Sequence, residues 1–143
     1  MSVKDIKVIQ ATTVTAGAAG TTAINGATID LTGVEELIIL VPFGAIVANA
    51  VTSIKFQEGD TTSPTTDVAG TSITVADDAD DTTKILRIIK PQKRYGRVVV
   101  SRATQNATVG AILYICKGLR TLPATDGATV VGETHVSPVA GTA

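Results

Sequence analysis

The sequence predicts an all-β protein, an antiparallel β-sandwich of jelly-roll-like form with about seven or eight short strands. Thr, Val and Ile are abundant, and these residue types favour strands over helices. The 13 Gly and 5 Pro residues provide turn signals between short apolar segments, none of which has a convincing helical period. We expect an N-terminal strand or arm over residues 1–23, the sandwich over 24–118, and an extended C-terminal arm or tail over 119–143.

Length and composition indicate one soluble domain. The chain has 143 residues, and because it has only 3% aromatic residues and no Trp, its core must consist of Val, Ile, Leu and Ala. The net charge of −1 gives no basis for nucleic-acid binding. The longest apolar run, residues 37–51, contains Pro42 and Gly44 and is too short for a membrane helix, and the N-terminus has no signal-peptide core. The single cysteine, Cys116, excludes internal disulfides, so we expect a protein made in the cytoplasm.

The N-terminal half reads as strands separated by small polar residues. Residues 3–9 predict an edge strand or an extended arm, and residues 11–22 a flexible connector. Residues 23–31 alternate between apolar and polar side chains, as a half-buried strand does. Residues 34–41 predict a strand that stops at the following proline, and residues 51–57 predict a strand with one mainly polar face.

The chain then alternates between loops and short strands. Residues 58–67 form a polar excursion, and a short strand is expected at 72–75. Residues 77–83 read as an acidic loop, and residues 84–89 as a strand that leads into the central part of the sheet. Residues 119–143 are rich in Gly, Thr, Pro and Ala without sustained periodicity, which predicts a tail that is disordered or ordered only against a partner.

Residues 90–118 contain the most strongly β-forming part of the chain. Strands at 94–103 and 108–116 are predicted to form a hairpin through a turn at 105–107, where Asn tolerates positive φ. Residues 98–100 and 112–115 are apolar at consecutive positions, so both faces of each strand are apolar. Such strands are central in a sheet and covered on both sides. The second face is therefore expected to meet either the opposite sheet or an identical subunit.

No group of residues predicts catalysis, a metal site or a cofactor site. The single histidine, His135, lies in the low-complexity tail and reads as an ordinary exposed side chain. Cys116 lies within an apolar strand and reads as a buried inert thiol. One acidic cluster has metal-ligand chemistry, but it lacks the EF-hand spacing and reads more readily as a solvated loop: Asp77, Asp78, Asp80 and Asp81. We therefore expect a protein that is not an enzyme.

Most of the positive charge falls in one region: Lys84, Arg87, Lys90, Lys93, Arg94, Arg97, Arg102, Lys117 and Arg120. A nucleic-acid site would need interleaved aromatic residues for stacking, and only Tyr95 and Tyr114 are available. A polar rim that pairs with an acidic partner surface fits this cluster better. The alternative is a solvated charged face.

Four short segments carry a resemblance to a known family: 57–60 (QEGD), 93–98 (KRYGRV), 111–116 (AILYIC) and 118–124 (GLRTLPA). Their order resembles that of small virion proteins of tailed bacteriophages, over about residues 51–124. Gly59 departs from the family pattern, where a second acid is common. The resemblance implies a β-sandwich that decorates or cements the capsid, in many cases as a trimer at local threefold positions.

The resulting hypothesis is a structural virion protein on the outer capsid surface, a capsid decoration protein that bridges neighbouring major capsid subunits as a homotrimer. Its candidate partner and subunit contacts are Lys93, Arg94, Tyr95, Arg97, Val99 and Arg120, with the cations setting register and Tyr95 as an aromatic anchor. One alternative is a tail-tube, head–tail joining or fibre-base protein. Another is a carbohydrate- or surface-binding β-sandwich module, although such modules present aromatic platforms that are scarce here.

Overall fold

The computed structural model describes residues 4–13 and 19–133, and these residues form twelve β-strands and no helix. The strands are β1 (Lys7–Gln10), β2 (Ala19–Gly20), β3 (Ile24–Asn25), β4 (Ile29–Asp30), β5 (Glu36–Ile46), β6 (Val51–Gly59), β7 (Thr66–Asp67), β8 (Ile73–Val75), β9 (Thr83–Ile89), β10 (Tyr95–Ala103), β11 (Ala107–Val109) and β12 (Leu113–Lys117). The predicted all-β class is confirmed, and all strand pairs are antiparallel. The described residues include no helix that could span a membrane.

The strands form two six-stranded sheets, here called sheet A and sheet B. Sheet A is organised around β5, which pairs with β9 along one edge and with β12 and then β11 along the other. Beyond these, β1 pairs with β12 and β2 with β11. Sheet B is organised around β6 and β10, which pair along nine residues. The outer partners of β10 are β3 and β4, and those of β6 are β7 and β8.

A single hydrophobic core takes side chains from both sheets. Leu37, Ile39 and Val41 contribute from β5 of sheet A, while Ile54 and Phe56 contribute from β6 of sheet B. All five side chains are fully buried. Because strand residues alternate between the two sides of a sheet, the residues between them lie on the outer faces. The core thus defines one inner and one outer face for each sheet.

The predicted hairpin of residues 94–103 and 108–116 is wrong. β10 lies in sheet B, whereas β11 and β12 lie in sheet A, and they do not pair. Both edges of β10 are already occupied, one by β6 and the other by β3 and β4. The connection turns sharply at Thr104, which has a φ of +69°, and Gln105 N donates to Ala103 O at 2.8 Å. The short loop therefore carries the chain from one sheet to the other.

The strand predicted to stop before Pro42 continues through it to Ile46. Pro42 is opposite the break between β11 and β12, where a missing N–H donor does not interrupt a regular ladder. Gly110 lies in this break, and its N–H donates to Pro42 O at 2.8 Å. A Cβ atom on Gly110 would lie 3.0 Å from Pro42 Cγ, so the glycine permits this close approach.

Residues 119–133 form no strand, but part of this segment packs against β1. Ala124 N donates to Lys4 O at 2.7 Å, and Gly127 N donates to Val8 O at 2.8 Å. The Asp126 carboxylate accepts from Val8 N at 2.8 Å and pairs with Lys4. These contacts hold the segment along the outer edge of sheet A without a second chain.

Candidate interaction surfaces

The outer face of sheet A is aliphatic. It is here called the apolar face and consists of Val8, Ile38, Leu40, Ile85, Ile89, Leu113 and Ile115. These residues alternate along β1, β5, β9 and β12 with residues that face the core. Polar side chains would be expected on the outer face of an antiparallel sheet in contact with water. The sheet therefore has two apolar faces and one core.

The most exposed part of the apolar face lies on β9. Ile85 is 48% exposed and Ile89 is 70% exposed, whereas Ile38 on the neighbouring strand is 9% exposed. Leu40 lies directly between Ile85 and Leu113 in the strand register, so the aliphatic surface is continuous across three strands. Contiguous apolar surface of this kind marks an interaction site more often than scattered apolar residues do.

Three charged residues lie on the same face of sheet A: Glu36 and Lys117 at one end, and Arg87 between Ile85 and Ile89 on β9. The Glu36 carboxylate is 3.4 Å from Arg87 Nη1 and 3.7 Å from Lys117 Nζ. Both cations are more than 45% exposed, so each ion pair contributes little to folding stability. Two cations around a single carboxylate leave this part of the face with a net positive charge.

The outer face of sheet B is polar and carries Arg97. Arg97 donates from Nε and Nη2 to Gln57 Oε1, at 3.0 and 2.9 Å. Gln57 in turn donates to Asp67, which also pairs with Lys55 at 2.8 Å. The bond from Lys55, and then that from Gln57, lowers the pKa of Asp67. Arg97 is thus positioned by its own sheet.

Val99 lies on this same outer face, directly opposite Lys55 and Asn25 on the adjacent strands. It is only 7% exposed, although it does not belong to the core cluster. Neighbouring side chains of the same chain thus cover it. Val99 therefore does not meet the opposite sheet, while contact of this face with an identical subunit stays a prediction.

Lys93, Arg94 and Tyr95 lie together where the chain enters β10. Lys93 pairs with Asp60 at 2.8 Å, and Arg94 pairs with Asp30 at 3.0 Å. The Arg94 guanidinium is also 5.0 Å from the centre of the Tyr95 ring, within the range of a cation–π contact. Hydrogen bonds from Arg94, and then from Thr32, lower the pKa of Asp30 to about 2, so this carboxylate stays ionised at neutral pH. The predicted contact residues are therefore paired internally.

Arg120 lies apart from the other predicted residues, on the wall of a cavity of about 230 Å³. The backbone N–H of Arg120 donates to Gly33 O at 3.0 Å. Gly33 has a φ of +74°, and a Cβ atom there would lie 3.2 Å from Arg120 Cβ. Lys7 and Asp30 also line the cavity. The structure does not bring all of the basic residues into one patch.

The residues with possible metal or nucleophilic chemistry have structural contacts. Asp80 accepts from Ile46 N at 2.7 Å, and Asp77 accepts from Asn49 N. The described part of the chain contains no group of three or more His, Cys, Asp or Glu residues arranged to hold a metal ion. Cys116 is buried, and this burial raises the pKa of its thiol to about 11. His135 lies outside the described residues.

Sequence reasoning missed the importance of β9 for the surface. For residues 84–89 (KILRII) the sequence pattern predicts only a strand that leads into the central part of the sheet. Its signal was available, because Ile85 and Ile89 are on one face while Leu86 and Ile88 are on the other. Apolar residues at both the odd and the even positions of a strand predict that it is covered on both sides.

Comparisons with protein-family models, with curated proteins and with solved structures find no match for this chain.

Proposed function

We propose that this protein is a structural virion protein, a capsid cement or decoration protein that binds the outer capsid surface and bridges neighbouring major capsid subunits. The observation that carries the proposal is the apolar face, with Ile85 and Ile89 exposed on its outermost strand. The resemblance of residues 93–98 and 118–124 to tailed-phage virion proteins supports the same function.

The expected occupant of the apolar face is a coat-protein surface with an apolar centre and a carboxylate border. Arg87 and Lys117 share Glu36, with Lys117 at one end of the face and Arg87 between Ile85 and Ile89. Lys90 follows β9 directly at the same end. Acidic groups on the coat would pair with these cations and set the register of binding. Many copies would bind at once, so a modest affinity for each would stabilise the capsid.

The jelly-roll-like arrangement of the strands and the homotrimer are part of the same proposal. Two sheets around one core are compatible with a jelly-roll-like sandwich, with four two-residue strands raising the number above the expected seven or eight. The resemblance implies a homotrimer, in which three copies would occupy a local threefold position. Sheet B would supply the trimer contacts in this arrangement, through the cations of its outer face.

Co-sedimentation with expanded capsids tests the proposal. We expect the wild-type protein to bind and the double variant Leu113→Thr/Ile115→Thr to bind on the order of 10- to 100-fold more weakly, because it replaces apolar contact area with hydroxyl groups. Val51→Thr is the matched control, since Val51 is a 63% exposed aliphatic residue on the outer face of sheet B. This control should bind as the wild type does.

Two results would contradict the proposal. A wild-type protein that stays in the supernatant with capsids present is not a cement protein. Equal binding by the double variant would show that the apolar face is not the surface used. Electron microscopy of labelled particles locates the protein directly, and label at the tail instead of the capsid would favour the tail-tube or head–tail joining alternative.

A further inference from the structure

Among the edge strands that the structure describes, β9 is the longest. The edge strands β2, β3, β4 and β7 have two residues each and β8 has three, so they expose few unpaired backbone groups. The four-residue edge strand β1 is covered at Val8 by bonds with Asp126 and Gly127, and Ala124 bonds to Lys4 just before the strand. β9 has seven residues, contains no proline and pairs with β5 alone among the described strands.

The backbone groups that point away from β5 follow from the bonds at the two ends of β9. Lys90 N donates to Glu35 O at 2.7 Å, and Phe43 N donates to Thr82 O at 2.8 Å. Bonded positions alternate in an antiparallel pair, so the even-numbered residues of β9 bond to β5. The outward N–H and C=O groups therefore belong to Thr83, Ile85, Arg87 and Ile89.

This edge is complementary to itself. If two copies of β9 run antiparallel about a two-fold axis at Leu86, Ile85 faces Arg87 of the second copy and Thr83 faces Ile89 of the second copy. All seven residues then overlap and form about eight backbone hydrogen bonds. A pairing centred on Arg87 would instead place two guanidinium groups opposite each other, which is unfavourable. The Leu86-centred register leaves each Arg87 beside its own Glu36.

We propose that β9 pairs with β9 of a second copy across a two-fold axis and joins the two A sheets into one. This contact goes beyond the proposed function, which assigns the apolar face to the coat protein. In this register Ile85 is diagonal to Ile85 and Ile89 of the second copy, so aliphatic side chains of the two apolar faces meet across the seam. A joined pair can then bind two coat sites at once, which increases its avidity.

The substitution Arg87→Pro tests the pairing. Its N–H points outward, so proline leaves the bonds to β5 in place while it removes a donor and blocks an added strand. Arg87→Thr is the matched control, because it removes the same guanidinium and keeps both the N–H and a strand-forming side chain. We expect the proline to raise the dissociation constant on the order of 100-fold, as for the loss of two hydrogen bonds.

Native mass spectrometry of the full chain gives the readout. The wild type and Arg87→Thr should have twice the mass of Arg87→Pro: two chains against one, or six against three where the homotrimer also forms. Equal masses for the wild type and Arg87→Pro would overturn the pairing, and so would halving by both variants. Coat binding is measured separately, so a paired protein that fails to bind capsids contradicts only the proposed function.

Hydrogen exchange on the wild type gives a second measurement that does not depend on how well the proline variant folds. The outward amides of Ile85, Arg87 and Ile89 should exchange slowly in a concentrated sample and quickly after dilution. The Leu86 amide, bonded to β5, should stay protected in both. Outward amides that exchange at the same rate at every concentration would overturn the proposal, because the edge would then be either open or covered by the chain itself.

Discussion

Tyr114 connects the two sheets through the core, and removing its hydroxyl group tests how much this connection stabilises the fold. The side chain is fully buried on β12 of sheet A, and its hydroxyl accepts a hydrogen bond from Val98 N of sheet B at 3.0 Å. On that edge of β10, β3 pairs at Val99 and Val100 while β4 pairs at Tyr95 and Gly96. Val98 N falls between them without a strand partner, and the tyrosine supplies the missing acceptor.

The substitution Tyr114→Phe keeps the ring and removes this acceptor. A buried N–H that loses its partner costs about 1–3 kcal/mol, so we expect a loss of about 2 kcal/mol in the free energy of unfolding. An unfolding entropy of about 2.1 cal/mol/K per residue gives about 0.3 kcal/mol/K for this chain of 143 residues. The melting temperature should therefore fall by about 7 °C.

Scanning calorimetry and urea denaturation measure this loss, with Tyr95→Phe as the matched control. Tyr95 lies at the start of β10 and is partly exposed. Its substitution should change the stability by less than about 0.5 kcal/mol. A Tyr114→Phe protein that melts within about 2 °C of the wild type would refute the role assigned to the hydroxyl, as would an equal fall for both variants.

Three further predictions concern stability. Val99→Asp should lower the free energy of unfolding, measured by urea denaturation, by only about 1–3 kcal/mol, because Lys55 lies directly opposite and can pair with the new carboxylate. A variant that no longer folds would contradict this. Burial raises the pKa of the Cys116 thiol from 9.0 to about 11. The contribution of the neutral thiol to the free energy of unfolding is therefore complete below pH 9 and falls by about 3 kcal/mol as the pH rises toward 11. Cys116→Ala should flatten this alkaline fall in stability, and an unchanged slope would exclude the thiol. Arg94 lowers the pKa of Asp30 from 3.8 to about 2. The contribution of the ionised Asp30 carboxylate to folding stability is therefore present above pH 4 and is lost as the pH falls to 2. Asp30→Asn should reduce the acid sensitivity by less than about 1 kcal/mol, since the pair is exposed, and a larger change would refute the surface assignment.

The all-β class was predictable because local composition determines it. Many β-branched residues in the strands and frequent turn residues between them leave little room for helices. The strand pairing was not predictable from local pattern. β10 and β12 are both strongly β-forming and close in sequence, but pairing depends on which edges earlier strands already occupy. The end of β5 was misplaced for a similar reason, because the break opposite Pro42 lies on another strand.

The fate of the predicted contact residues also depends on distant parts of the chain. The sequence predicts that Lys93 and Arg94 belong to a polar rim that pairs with an acidic partner, but Asp60 and Asp30 of the same chain pair with them from positions 33 and 64 residues away. A sequence without structure shows the charges and not their partners. Double-faced apolar strands were a valid signal, but it applied most strongly to Ile85 and Ile89 on β9, which the structure leaves exposed.

The bonds that hold Ala124, Asp126 and Gly127 against β1 would limit how far the proposed pairing through β9 can extend. A protein with two open sheet edges can add copies without limit and form a fibre. Here the last segment of the described chain covers one edge, so a sheet that pairs through β9 ends in a covered β1 strand on each side. The same segment that looks like a tail in the sequence would therefore make the joined sheet finite, closed after two copies.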